Sequence, residues 1–285
     1  MTTQLLPADT AMGAVTLWVA DLDAMIRYYR EAVGLELLSH VGSRAILGFK
    51  DRPIIILEHK PEMRHAGPRE AGLFHTAILF PTEAALAQAV YSVAQKYPNT
   101  FTGSADHLVS KAFYFNDPEN NGVELYWDRD RSEWSWAHGS IEMDTIFLDP
   151  NQFLREHLTE EIVDADKKVG HVHLSVGSIP AAEEFYVSIL GFEKTMNWGG
   201  QALFVSAGGY HHHMAMNTWR SKGAGRRQLA LGLGNVQIKL DEMAQVEEVK
   251  ERLDFHNHEA QLSDIDLTTE DPWGNRVTLS TIKGN

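Results

Sequence analysis

The chain repeats itself, and that repeat is what most limits the folds open to it. VTLWVADLDAMIRYYREAVGLELL from Val15 lies over VHLSVGSIPAAEEFYVSILGFEKT from Val172 at one constant offset. Leu17 meets Leu174, Val19 meets Val176, Tyr29 meets Tyr186 and Gly34 meets Gly191. Each copy reads as an alternating strand, a helix with apolar residues at helical spacing, and a glycine stop. Short β-rich segments follow: RAILGF and PIIILE in the first copy, QALFVSA and YHHHMAMN in the second. A related pair of units opens at His75 (HTAILFPTEAALAQAVYSVAQ) and Asn235 (NVQIKLDEMAQVEEVKERL). Both close alike, with Asp117, Pro118, Asn121, Val123 and Leu125 matching Asp271, Pro272, Asn275, Val277 and Leu279. Asp-Pro followed by Asn-rich residues is turn chemistry that feeds a strand. The chain therefore reads as α+β, with four tandem βαβββ modules. Residues 1–130 hold two of them, 168–285 the other two, and the charged, Trp-rich stretch 131–167 joins the halves.

Bulk properties mainly exclude. The 285 residues, 44% of them hydrophobic, suffice for about two domains with real cores. A net charge of −14 argues against nucleic acid or an anionic membrane surface as partner. With no cysteine there are no disulfides, zinc–thiolate sites or thiol nucleophiles. No apolar run approaches the ~18 residues of a membrane span, and MTTQLLPADTAMG lacks the basic start and apolar stretch of a leader. A soluble, cytoplasmic protein is expected. LALGLGNV from Leu229 has alternating glycines but no phosphate loop, and reads as a turn before a strand. The aromatics of RSEWSWAHG read as packing for the joining stretch.

Four tandem βαβββ modules resemble the vicinal oxygen chelate superfamily over nearly the whole chain. The resemblance implies paired modules closing into two open β-barrel domains with helices outside, and a divalent metal in a barrel. It places ligands at a His in a module's first strand and a Glu in its last. The first-strand position holds Ala14, His75, His171 and Asn235 in the four modules; the last-strand position holds Glu124 in the second and Thr278 in the fourth. Only the two central modules are armed. Two imidazoles and one carboxylate on one face of a metal leave adjacent positions open, the arrangement of non-haem Fe(II) oxygenases. His75, His171 and Glu124 supply that set if modules two and three close one barrel. Singly, each has a plainer reading, as a strand histidine satisfied by its neighbours or a surface carboxylate; the repeat's choice of all three singles them out. His173 shares the face of His171 and is the rival ligand. The family pattern His-x-x-Leu-x-Val favours His171 and leaves His173 to orient it.

Within the superfamily the chain looks most like the short catechol 2,3-dioxygenases. The resemblance assigns Tyr114, ten residues before Glu124, and His107 further upstream to contacts with substrate. It gives the acid–base role to His212, from a His-x-x-Ala pattern ending at Ala215. Aligning Trp219 with Trp127 gives His212 the parity of Glu124; the constant offset with Glu58 favours His211 and His213 instead. The offset also sets these histidines over Ile54, Ile55 and Ile56, so that a continuous strand is expected there. The implied activity is extradiol cleavage of a small aromatic diol with O₂ at Fe(II), with Mn(II) as the alternative metal, in a chain that could form a homo-oligomer. The alternatives are a glyoxalase-type isomerase or thiol transferase, whose metal usually has a fourth protein ligand, and a metal-free drug-binding protein.

Overall fold

The computed structural model describes residues 5–161 and 165–281. Module one runs β1 (Ala11–Val19), α1 (Leu22–Arg27), β2 (Glu36–Val41), β3 (Arg44–Phe49) and β4 (Arg52–His59). Module two runs β5 (Gly72–Phe80), α2 (Glu83–Lys96), β6 (Phe101–Asp106), β7 (Ser110–Asn116) and β8 (Gly122–Asp128). The joining stretch carries β9 (Trp136–Ala137), β10 (Ser140–Ile141), β11 (Ile146–Phe147) and α3 (Pro150–His157). Module three has β12 (Lys168–Ser175), α4 (Ile179–Glu183), β13 (Glu193–Trp198), β14 (Ala202–Ser206) and β15 (Met214–Asn217). Module four has β16 (Gly232–Leu240), α5 (Met243–Phe255), β17 (Ala260–Leu262), β18 (Asp266–Glu270) and β19 (Arg276–Thr281).

Every module has one strand order: first, fourth, third, second. First and fourth strands run parallel in modules two, three and four. Parallel neighbours need a crossover connection, and the module's helix begins it. The α+β class and the four βαβββ modules are thus those the repeat predicts. No helix among the described residues is long and apolar enough to cross a membrane.

The helices start where local chemistry tells them to. Thr82 caps α2 by accepting from the Ala85 amide, and Leu86, Val90 and Val93 form its buried stripe. Ser178 caps α4 in the same way. In modules one and three the helix continues into a π turn, Tyr28–Ala32 and Glu184–Ile189.

The chain forms two compact units. One comprises Leu17–Glu62 and His75–Gly170; the other comprises Met1–Thr16, Met63–Phe74 and His171–Asn285. Each unit is clasped by the residues that the repeat matched. In the first, the Tyr29 hydroxyl donates to Asp117 at 3.0 Å, and Asp117 also accepts from Asn121. In the second, Tyr186 donates to Asp271 at 3.1 Å, and Asn275 repeats the role of Asn121. Burial pushes both carboxyls upward, Asp117 to about 6, against the pull of these donors.

The joining stretch is more than a tether. β11 pairs antiparallel with β6, setting Ile146 beside Asp106 and Phe147 beside Ala105. Phe153 of α3 is buried against Phe113, ring centroids 4.8 Å apart. Trp134 is buried with its indole N–H on the Arg129 carbonyl, as the packing reading expects, whereas Trp136 is half exposed.

Candidate metal centre

Strand register decides which side chains share a face. β5 and β8 run parallel with Ala77 opposite Glu124, and β7 sets Tyr114 opposite Glu124 from the other side. His75 lies two residues before Ala77, so it shares that face. Both groups are buried, and His75 Nε2 stands 2.9 Å from Glu124 Oε2. Tyr114 packs its ring 5.6 Å from His75. Its hydroxyl pKa is raised by burial first, then by the Glu124 charge and by a hydrogen bond to Glu124. His107, just beyond β6, reaches the Tyr114 hydroxyl with Nε2 at 2.7 Å.

In module three, β12 carries His171 and His173 on one face, and its parallel partner β15 sets Ala215 opposite His173. The register matches that of module two, where Ala77 faces Glu124. Ala215 therefore stands where Glu124 stands, and a methyl replaces a carboxylate. The constant offset with Glu58 gives that alignment; matching Trp219 to Trp127 misses it by one residue.

The strand expected through YHHHMAMN is shorter than its counterpart. β4 runs through Ile54, Ile55 and Ile56, but β15 begins only at Met214. His213 still holds the sheet by its backbone, donating to Val205 and accepting from Val172. Outside the strand, alternation no longer fixes which ring faces where. The His212 ring lies 4.1 Å from that of His171, and its Nδ1 lies 2.7 Å from His211 Nδ1. His213 instead binds Ser206 Oγ at 3.0 Å and the Ala207 amide at 3.3 Å through Nδ1. Of His211 and His212, His212 is thus the ring packed closer to His171, for a reason other than the parity that favoured it.

His173 is committed elsewhere. Its Nε2 accepts from the Asn217 side-chain amide at 3.0 Å, and its ring packs against Phe74 and Trp219. Sequence reasoning had not singled out Phe74, Phe204 or Trp219 for the site. The alternation of β14 and β15 around Phe204 and Asn217 was the available signal.

His75 and Glu124 are buried side by side, and His171, buried in the other unit, is the third member of the group that could hold a metal ion. Ligand atoms at right angles around a metal with bonds of ~2.1 Å stand about 3 Å apart. The His75–Glu124 spacing of 2.9 Å meets that value. Two imidazoles and a carboxylate, buried and converging, fit a divalent metal ion. At the matching positions of module four, the Thr278 hydroxyl donates to Asn235 Oδ1 at 3.0 Å. The blank pair touches as the armed pair does, but with neutral groups.

Residues 11–125 and 168–279 both match the model of the glyoxalase/bleomycin resistance protein/dioxygenase superfamily. The chain belongs to that superfamily. It is 32% identical over 271 residues to the catechol-2,3-dioxygenase of Bacillus subtilis (strain 168), spanning 93% of this chain and 94% of that one. Among solved structures, a putative dioxygenase from Bacillus subtilis superposes with a TM-score of 0.68 at 14% identity, covering 98% of this chain and 87% of the other. Glyoxalase I from Zea mays gives 0.57 at 17% identity, covering 96% and 92%. At those identities the two structures speak for the superfamily's fold alone.

Proposed function

We propose that this protein is an extradiol ring-cleaving dioxygenase, acting on a small aromatic diol with O₂ at a metal held by His75, Glu124 and His171. The observation that carries the reading is Ala215. A methyl at the register position of Glu124 leaves a three-ligand set without the carboxylate that would close it in the glyoxalase manner. Near-complete alignment with a catechol-2,3-dioxygenase supports the same reading.

Fe(II), the metal favoured for this donor set, would supply adjacent positions for both diol oxygens and for O₂. The chain's own residues do the rest. His212, packed against His171, takes a diol proton and later returns it, and the Nδ1–Nδ1 contact lets His211 share that proton. Tyr114 and His107, on the Glu124 side, orient the substrate oxygens through the Tyr114 hydroxyl. Burial of His75, Glu124, His171 and His212 keeps bulk water from the reacting groups.

The test is anaerobic metal loading with Fe(II) or Mn(II), followed by oxygen uptake across a panel of catechols. One O₂ consumed per ring-opened semialdehyde is the expected result. Metal-dependent turnover of a thiol adduct without oxygen uptake would replace the reading with an isomerase, His211 then acting as a further ligand.

A further inference from the structure

The partners of His107 assign its ring, and one of them reaches it from the stretch that joins the two sequence halves. His107 Nδ1 lies 2.7 Å from the backbone carbonyl oxygen of Asp144. A carbonyl oxygen only accepts, so Nδ1 must carry a proton. A neutral imidazole has a single N–H, which makes Nε2 the acceptor. Nε2 is the atom 2.7 Å from the Tyr114 hydroxyl, so the hydroxyl donates to it.

We propose that the Asp144 carbonyl is a positioning group for the site. It locks His107 in the Nδ1–H tautomer and so turns the one proton of the Tyr114 hydroxyl toward His107 and away from Glu124. The catalytic consequence rests on the ring-cleavage reading above; the tautomer does not. Glu124, directly across the strand pair, is the competing acceptor and lies within hydrogen-bonding reach of the same hydroxyl. With the proton committed to His107, the Glu124 carboxylate keeps its lone pairs for a cation.

The lock is built from several parts. Thr145 N donates to the Asp144 side chain at 2.7 Å, β11 pairs with β6 beside His107, and Ser104 Oγ donates to the Leu148 carbonyl at 2.7 Å. On the other side, Asp106 accepts from the Leu108 amide at 2.9 Å and pairs with Arg129. Leu108 itself sits at φ 70°, a left-handed conformation that a leucine adopts only under constraint. His107 is thus fixed by its backbone and by both ring nitrogens.

The experiment is long-range ¹H–¹⁵N correlation of the histidine rings at pH 8, with His107 assigned from the signal lost in His107→Gln. The wild type should show His107 with a protonated Nδ1 and a bare Nε2. Tyr114→Phe should keep that pattern, because the carbonyl and not the tyrosine sets it. Replacing residues 143–148 by glycine and serine at equal length should shift His107 toward Nε2–H, and Ser104→Ala should shift it part of the way. In the replaced-segment protein metal content should hold and KM change little, while kcat falls roughly tenfold, short of the ~10²–10⁴ expected for losing an acid–base group outright. A wild-type His107 protonated at Nε2, or an unchanged tautomer after segment replacement, overturns the proposal. A correct tautomer in a protein that opens no catechol would instead overturn the ring-cleavage reading alone.

Discussion

Tyr29→Phe removes one hydroxyl from the buried clasp of the first unit and leaves the ring in place. Asp117 loses the donor at 3.0 Å but still accepts from Asn121 and the Glu119 amide. The loss is that of one hydrogen bond to a charged group, about 1.5–3 kcal/mol. Its pH dependence follows from Asp117, whose carboxyl burial raises from 3.8 to about 6. A carboxyl raised in the folded state favours folding most while protonated. Its contribution is full below about pH 4 and is lost as pH climbs through 6, a swing of about 3 kcal/mol in the wild type. Tyr29 pulls that pKa down, so without it the folded value rises further and the loss continues above pH 6. The variant should therefore differ little from wild type at pH 4.5 and be about 1.5–3 kcal/mol less stable at pH 7.5. Urea unfolding midpoints at the two pH values, with a common slope, measure this directly. An equal deficit at both pH values, or none at pH 7.5, would refute the reasoning. Tyr186→Phe against Asp271 should show the same sign.

Four further outcomes are expected. His75→Ala, Glu124→Ala and His171→Ala should each release the metal, measured by elemental analysis of the folded protein, whereas His173→Ala should retain it. Thr278→Ala should leave metal content unchanged, since Thr278 binds Asn235 and Thr268; a loss of metal would mean that module four takes part. His212→Phe should keep metal yet slow catechol turnover by ~10²–10⁴-fold. His213→Phe should instead lower thermal stability by breaking contacts with Ser206 and Ala207, and a healthy His212→Phe beside a dead His213→Phe would reverse the assignment. Gly170→Ala should destabilise the fold severely, because its Cβ would lie 1.6 Å from the Tyr126 hydroxyl, and a near-wild-type melting temperature would contradict that packing.

The modules were legible because a repeat aligns residues under the same physical constraint. Tyr29 and Tyr186 matched since both must reach a buried carboxylate, and Asp117 and Asp271 matched for the same reason. His75 and His171 were legible because modules one and four have Ala14 and Asn235 in their place, and Glu124 because module four has Thr278 there. The strand limits around His211–His213 were not, since three imidazoles and three isoleucines fit a β pattern equally well until side-chain contacts choose. His213 turned to Ser206 and His212 to His171, and neither choice is encoded in alternation. The Asp144 contact was illegible for a different reason: a backbone carbonyl carries no residue signature.

The hydrogen bond between Asn235 and Thr278 bears on what a duplicated site can decay into. A glutamate left beside a histidine with no cation would be paired at best with a protonated imidazole, a buried ion pair whose desolvation costs several kcal/mol. A copy without metal needs other partners for any old carboxylate, as Glu58 of module one has in Trp18 and Arg44, or else must lose it. Module four takes the second course: an amide paired with a hydroxyl sheds the charge and keeps each remaining polar atom satisfied in the same space. Module four looks less like a ruin than a repair, and repair of this kind leaves a trace. Where one copy of a repeated protein shows a neutral, mutually bonded pair, the other copies are the place to look for the charged original.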